Sequence, residues 1–81
     1  MDVSEGQAPT MELEFVRAEI VQPTPESTAL VAARRSRPEH TSQAAAAAML
    51  GLRVRDYTGL EGGRLTLSAE DWQRVMEVIR G

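Results

Sequence analysis

Cysteine is missing from this chain, and so is lysine. The first absence excludes a disulfide framework, a thiolate metal site and a cysteine nucleophile. Histidine occurs once, as His40 in the loop sequence PEHTSQ, where it reads as a loop residue and not as a metal ligand. No apolar run approaches the length of a membrane span, and the acidic, proline-containing start does not resemble a signal peptide. A cytoplasmic protein that does not enter the membrane is the plain expectation. At 81 residues the chain makes one small domain, too short for a deep substrate cleft. With no paired carboxylates and no phosphate-loop pattern, the expectation is a protein that is not an enzyme and uses no cofactor.

Because lysine is absent, all nine cationic side chains are arginine, the side chain suited to bidentate contacts with phosphate and guanine. The net charge of −3 argues against a nucleic-acid partner, but its distribution argues the other way. Residues 1–25 balance to −4, residues 26–65 to +2 and residues 66–81 to −1, so the positive charge gathers in the middle. A field this weak predicts modest affinity for a polyanion.

The middle also carries the strongest local pattern, QAAAAAMLGLRVRDYTGLEGG from Gln43 to Gly63. Ala44 to Ala48 is close to the best helix signal available, since alanine loses no rotamer freedom on folding. Gly51 supplies a left-handed position at which that helix stops. A second helix, about Arg53 to Leu60, follows with Tyr57 and Leu60 on one face and Leu52 leading into it. Ala46, Ala47 and Leu50 face those residues across the turn, and two alanines at the contact allow a close approach. The geometry expected is a helix-turn-helix.

This set of residues resembles the phage-repressor (Cro/C1, Xre-type) helix-turn-helix family. Counting from Gln43, Ala46 and Ala47 fall at its small apolar places, Leu50-Gly51-Leu52 at its turn, and Tyr57 and Leu60 at the apolar places of its second helix. Glu61 and Gly63 match the E-x-G that closes the recognition helix. The resemblance implies an all-α fold, a small four-helix domain over residues 25–81. It also implies a sequence-specific DNA-binding regulator, a repressor acting as a homodimer on a palindromic operator. In the family the second and third residues of the recognition helix read bases, here Val54 and Arg55, with a thymine methyl and a guanine as natural targets. Gln43 is the candidate for a phosphate or base edge, Arg53 and Arg64 for phosphates, and Thr58 lies on the same outward side. A further base-reading place falls on Gly59, which has no side chain, and Asp56 faces the polyanion unless it orients Arg53 or Arg55. An arginine of helix one, Arg34 or Arg35, is expected to pair with Glu61.

Around this motif the chain divides simply. Residues 1–10 are acidic and without periodicity, a disordered leader. Residues 11–24 form an extended arm in which Met11, Leu13 and Phe15 alternate with Glu12 and Glu14, a strand pattern that Pro23 and Pro25 end. A strand in a helical domain lacks a ladder partner. Residues 11–21 therefore either pair with the same strand of a second subunit across a two-fold axis or lie as a strap over the helical core. Helix one runs from about Glu26 to Arg35 and ends before Pro38, with Arg34 and Arg35 complementing its dipole. Thr41 or Ser42 caps helix two. Leu65 to Leu67 reads as a short loop, and Ser68 caps a final helix with Asp71 completing a capping box. Trp72, Val75, Met76 and Ile79 make its apolar face, with Trp72 as a core anchor. A second functional class stays open beside the first. The acidic arm, residues 11–21 above all, then serves a protein partner, as in an antitoxin or an inhibitor that keeps the fold but leaves DNA aside.

Overall fold

Thr24 opens the first helix. Its hydroxyl accepts from the Ser27 amide at 3.0 Å while its own amide donates to the Ser27 hydroxyl at 2.7 Å, a reciprocal box that satisfies two otherwise free donors. Helix α1, Pro25–Arg35, follows with proline at its first position, where the missing N–H costs nothing. The computed structural model of the chain describes residues 11–81, so the leader expected over residues 1–10 lies outside the described residues.

Helix α2, Gln43–Leu50, is capped by Ser42, whose hydroxyl accepts from the Ala45 amide at 3.0 Å. It ends at Gly51 with φ 71°, the left-handed conformation that a residue without a Cβ adopts most easily. Leu52 and Arg53 do not join the next helix. Arg53 is extended (φ −69°, ψ 146°) and serves as N-cap of α3, Val54–Gly62. The second helix of the pair therefore starts one residue later and ends two residues later than its apolar pattern suggests. Helix α4, Ala69–Arg80, is capped by Ser68, which accepts from the Asp71 amide at 3.2 Å. The expected return bond of a capping box is not made. The Asp71 carboxylate instead accepts from the Glu14 amide at 3.3 Å and pairs with Arg74 at 3.2 Å, because the N-terminal arm passes beside it.

Four helices bury Leu30 and Ala33 of α1, Ala46, Ala47 and Leu50 of α2, Tyr57 and Leu60 of α3, and Trp72, Val75 and Ile79 of α4, with Leu67 from the loop before α4. Met76 is half-buried at the margin of this core. The chain is thus mostly helical, but not purely so. Strand β1, Val16–Arg17, pairs antiparallel with β2, Leu65–Thr66, matching Val16 with Thr66 and Arg17 with Leu65. The segment at Leu65, whose sequence suggests a loop, supplies the arm with a ladder partner in the same chain. Residues 11–15 continue as a strap, half-burying Met11, Leu13 and Phe15 against the core while Glu12 and Glu14 face outward. The period-two pattern is therefore realised in burial over residues 11–16 and is lost beyond them, since Val16 and Arg17 are both exposed and the ladder itself spans only two residues.

Gly63 is where strap and helices meet. It terminates α3 at φ 81°, and a Cβ there would lie 1.8 Å from the carbonyl oxygen of Gln22. Both the backbone conformation and the close approach require glycine. Among the described residues no helix is long and apolar enough to cross a membrane.

Candidate functional site

Beside the shared core, one carboxylate ties the α2–turn–α3 unit to α1. Glu61, in the last turn of α3, accepts from Arg34 Nε at 2.6 Å and Arg34 Nη2 at 3.1 Å, a bidentate fork from the end of α1. It also accepts from the Tyr57 hydroxyl at 2.5 Å and from the Gln43 side-chain amide at 2.9 Å. Arg34 Nη1 reaches the Thr41 carbonyl at 3.0 Å, so one guanidinium ties α1 to α3 and to the loop before α2. The side chains of Arg34 and Glu61 are 11% and 5% exposed, which makes this an ion pair largely withdrawn from water. Such a pair survives only when its hydrogen bonds are complete. Among the described residues no buried side-chain nitrogen or oxygen lacks a partner.

The charge states follow from this geometry. Burial pushes the Glu61 carboxyl up, but the hydrogen bonds from Arg34, Tyr57 and Gln43 outweigh it and hold the group below the usual glutamate value. The Glu61 hydrogen bond raises Arg34 further, so the pair is fully ionised at neutral pH. Burial first, and then donation to Glu61, push the Tyr57 phenol far above its ordinary value, which keeps its proton in place. Of the two arginines that fitted the helix-one partner of Glu61, the structure selects Arg34. Arg35, one position on, is exposed.

The hub positions the residues expected to contact a ligand. Gln43 is exposed at the first turn of α2, and its amide nitrogen is engaged by Glu61, which fixes which end of the amide is left outward. Arg53, Val54 and Arg55 are exposed together at the start of α3. Arg53 and Arg55 take part in no salt bridge among the described residues. Asp56, expected to orient one of them, pairs with neither. It is half-buried in the first turn of α3, where a negative charge complements the helix dipole. Thr58, expected on the outward side, is half-buried and donates its hydroxyl back to the Arg55 carbonyl at 3.1 Å, and Arg64 Nη2 donates to the same carbonyl at 2.7 Å. Thr58, Arg64 and Arg55 therefore converge on one point of the helix. Gln43 stands apart from them, on the flank of α3 that carries Glu61.

Two structural roles lay outside the sequence reading. Arg37, counted there with the basic field, donates to the Ile79 carbonyl at 2.7 Å and to the Thr41 hydroxyl at 3.0 Å, fastening the loop after α1 to the end of α4. Tyr57 serves the core with its ring and the hub with its hydroxyl. Its spacing of four from Glu61 places both on one helical face, which is the signal by which the bond is recognisable. With Arg34 and Arg37 engaged internally, the exposed positive charge of the central region narrows to Arg35, Arg53, Arg55 and Arg64.

The groove between the arm and α3 is lined by Glu12, Glu14, Asp56 and Asp71 as well as by Arg53, so the acidic strap borders the start of α3 on one side. Among the described residues no group of three or more His, Cys, Asp or Glu side chains is placed to hold a metal ion. Compared with family models, curated proteins and solved structures, the chain gives no significant match.

Proposed function

We propose that this chain is a sequence-specific DNA-binding regulator of helix-turn-helix type, a repressor that acts as a dimer on a palindromic operator. The observation that carries the reading is the first turn of α3. There Arg53, Val54 and Arg55 are exposed side by side on a short helix that Glu61 and Tyr57 lock against α1 and α2. An α-helix fits the major groove of B-DNA. A helix offering cationic and apolar side chains there, with its opposite face buried, is suited to enter it. Arg55 is the candidate guanine reader and Val54, 48% exposed, the thymine-methyl contact, while Arg53 at the N-cap grips phosphate.

Dimerisation falls to the arm. Val16, Ile20 and Val21 are 54, 69 and 62% exposed within six residues, and the ladder with β2 occupies only one edge of β1. The same apolar group on an acidic arm supports the second reading, an interaction protein that grips a protein partner through residues 11–21. The two readings separate on binding to bulk genomic DNA. A regulator binds at low salt, with log affinity falling linearly in log salt at roughly 0.9 per phosphate contact. No binding at low salt would leave the protein partner as the surviving reading.

A further inference from the structure

The face of α3 that carries Arg55 continues one turn on at residue 59, four positions along the same side. Gly59 leaves that place without a side chain of its own, and the residue expected to be outward is buried, because the place is filled by Arg64 and flanked by Leu65. The Arg64 guanidinium lies over it, with Nη2 2.7 Å and Cζ 3.0 Å from where a Cβ of residue 59 would stand. Gly63, at φ 81°, turns the chain back at the end of α3. The Arg64 amide then donates to the Gly59 carbonyl at 2.9 Å, and the Arg64 carbonyl accepts from the Ala18 amide at 2.9 Å. The backbone of residue 64 is thus pinned from both sides. Its side chain runs back along α3 to the Arg55 carbonyl, 2.7 Å from Nη2.

A guanidinium carries five N–H donors in one plane. Among the described residues the Arg64 side chain makes one hydrogen bond, to the Arg55 carbonyl, which sets the direction of that plane and leaves the other donors available. The guanidinium lies against α3 and is held to it by that bond, so it travels with the helix. Arg64 is exposed, so its free donors meet solvent and not the core.

We propose that Arg64, seated over Gly59 and aimed by the Arg55 carbonyl, reads a base edge from within the groove beside Arg55, supplying the side chain that position 59 lacks. This rests on the DNA-binding reading above. Gly59 then has a specific task, to leave room, because a methyl group there would stand 2.7 Å from Arg64 Nη2 and 2.9 Å from Leu65 Cδ1.

The test uses the full chain and the consensus duplex that the wild-type protein enriches from a randomised pool. Affinities for that duplex and for its single-base-pair variants are measured across a salt series for wild type, R55A, R64A, R64K and G59A. Arg64→Ala is expected to lower affinity for the consensus roughly 5- to 150-fold and to abolish discrimination at one base pair of each half-site, a different pair from that lost in R55A. Arg64→Lys should keep the salt slope without restoring that discrimination, since an ammonium lacks the planar fork. Gly59→Ala should reproduce the R64A loss with helical content unchanged by circular dichroism. Equal weakening on every duplex together with a shallower salt slope would overturn the proposal and make Arg64 a phosphate contact. If the wild-type protein enriches no duplex and binds no bulk DNA, the proposal falls with the reading beneath it, an outcome distinct from the first.

Discussion

Glu61 shows how much one side chain governs here. Four hydrogen bonds from three residues converge on its carboxylate, two of them from Arg34 in a fork. Removing the carboxylate strands a buried guanidinium, so Glu61→Ala should cost about 3–5 kcal/mol. That is a large part of the stability of any small domain. The pH dependence has a definite sign. Because Glu61 is held below its ordinary value of 4.5, its contribution is complete above that pH and is lost as pH falls through the lower folded value. Thermal melts should therefore drop on acidification below about 4.5, and Glu61→Gln should flatten that drop. Tyr57 behaves oppositely. Its raised value means that the unfolded chain ionises first, so stability erodes as pH rises above 10.0, and Tyr57→Phe should remove that erosion. At the exposed start of α3, Arg53 and Arg55 divide by position, one at the N-cap and one within the first turn. On a specific and a scrambled duplex, Arg55→Ala should cost about 1–3 kcal/mol on the specific one alone. Arg53→Ala should weaken both alike and lower the salt slope by roughly one unit.

Among the elements, the arm and the end of α3 depend on each other through Gly63. The helix needs a left-handed residue there to stop, and the arm needs a residue without Cβ so that the Gln22 carbonyl can approach. Gly63→Ala violates both requirements at once. The strained conformation alone costs on the order of 1–3 kcal/mol, and the contact forces the arm away from the turn. Hydrogen exchange should then show faster exchange at the Ala18 amide, which donates to the Arg64 carbonyl, with α4 protected as before. Unchanged protection at Ala18 would mean that the arm is not held at this point. The arm also explains why a two-residue ladder suffices. Its apolar side chains Met11, Leu13 and Phe15 pack on the core, and that burial, not the ladder, supplies most of the attachment.

For the whole molecule, the question is how a chain of net charge −3 would hold a polyanion. Two of the central arginines are bound internally, and the acidic strap borders α3, so each copy offers few phosphate contacts. A dimer doubles them and sets its half-sites about 10–10.5 base pairs apart, one helical turn. Because the arm's inner face completes the core, truncating it would confuse assembly with folding. The cleaner variant is Ile20→Glu with Val21→Glu, both on exposed positions. Sedimentation should show a dimer for wild type and a monomer of unchanged melting temperature for the variant, with affinity for a two-half-site duplex collapsing. A dimer that survives the substitutions would place the interface elsewhere, on another face of the molecule.

The positions of all four helices were legible in the sequence because their signals are local. Alanine propensity, the stop at Gly51, the hydroxyl caps at Ser42 and Ser68 and the apolar spacing of Trp72, Val75 and Ile79 each act within a few residues. The exposed start of α3 was legible for the same reason, since Tyr57 and Leu60 define the buried face and leave Val54 and Arg55 opposite it. What depended on distant segments was not. The ladder partner of β1 lies about fifty residues on, in a two-residue strand too short to announce itself by periodicity. The choice of Arg34 over Arg35 turned on where the end of α1 faces, because adjacent helical residues point about 100° apart. The Asp71 carboxylate was taken by the arm, and the empty place at Gly59 was filled from residue 64. Local propensity decides where a helix begins and ends. Only the packed chain decides which of two neighbouring side chains meets a partner across the fold, because that contact depends on the relative placement of whole elements.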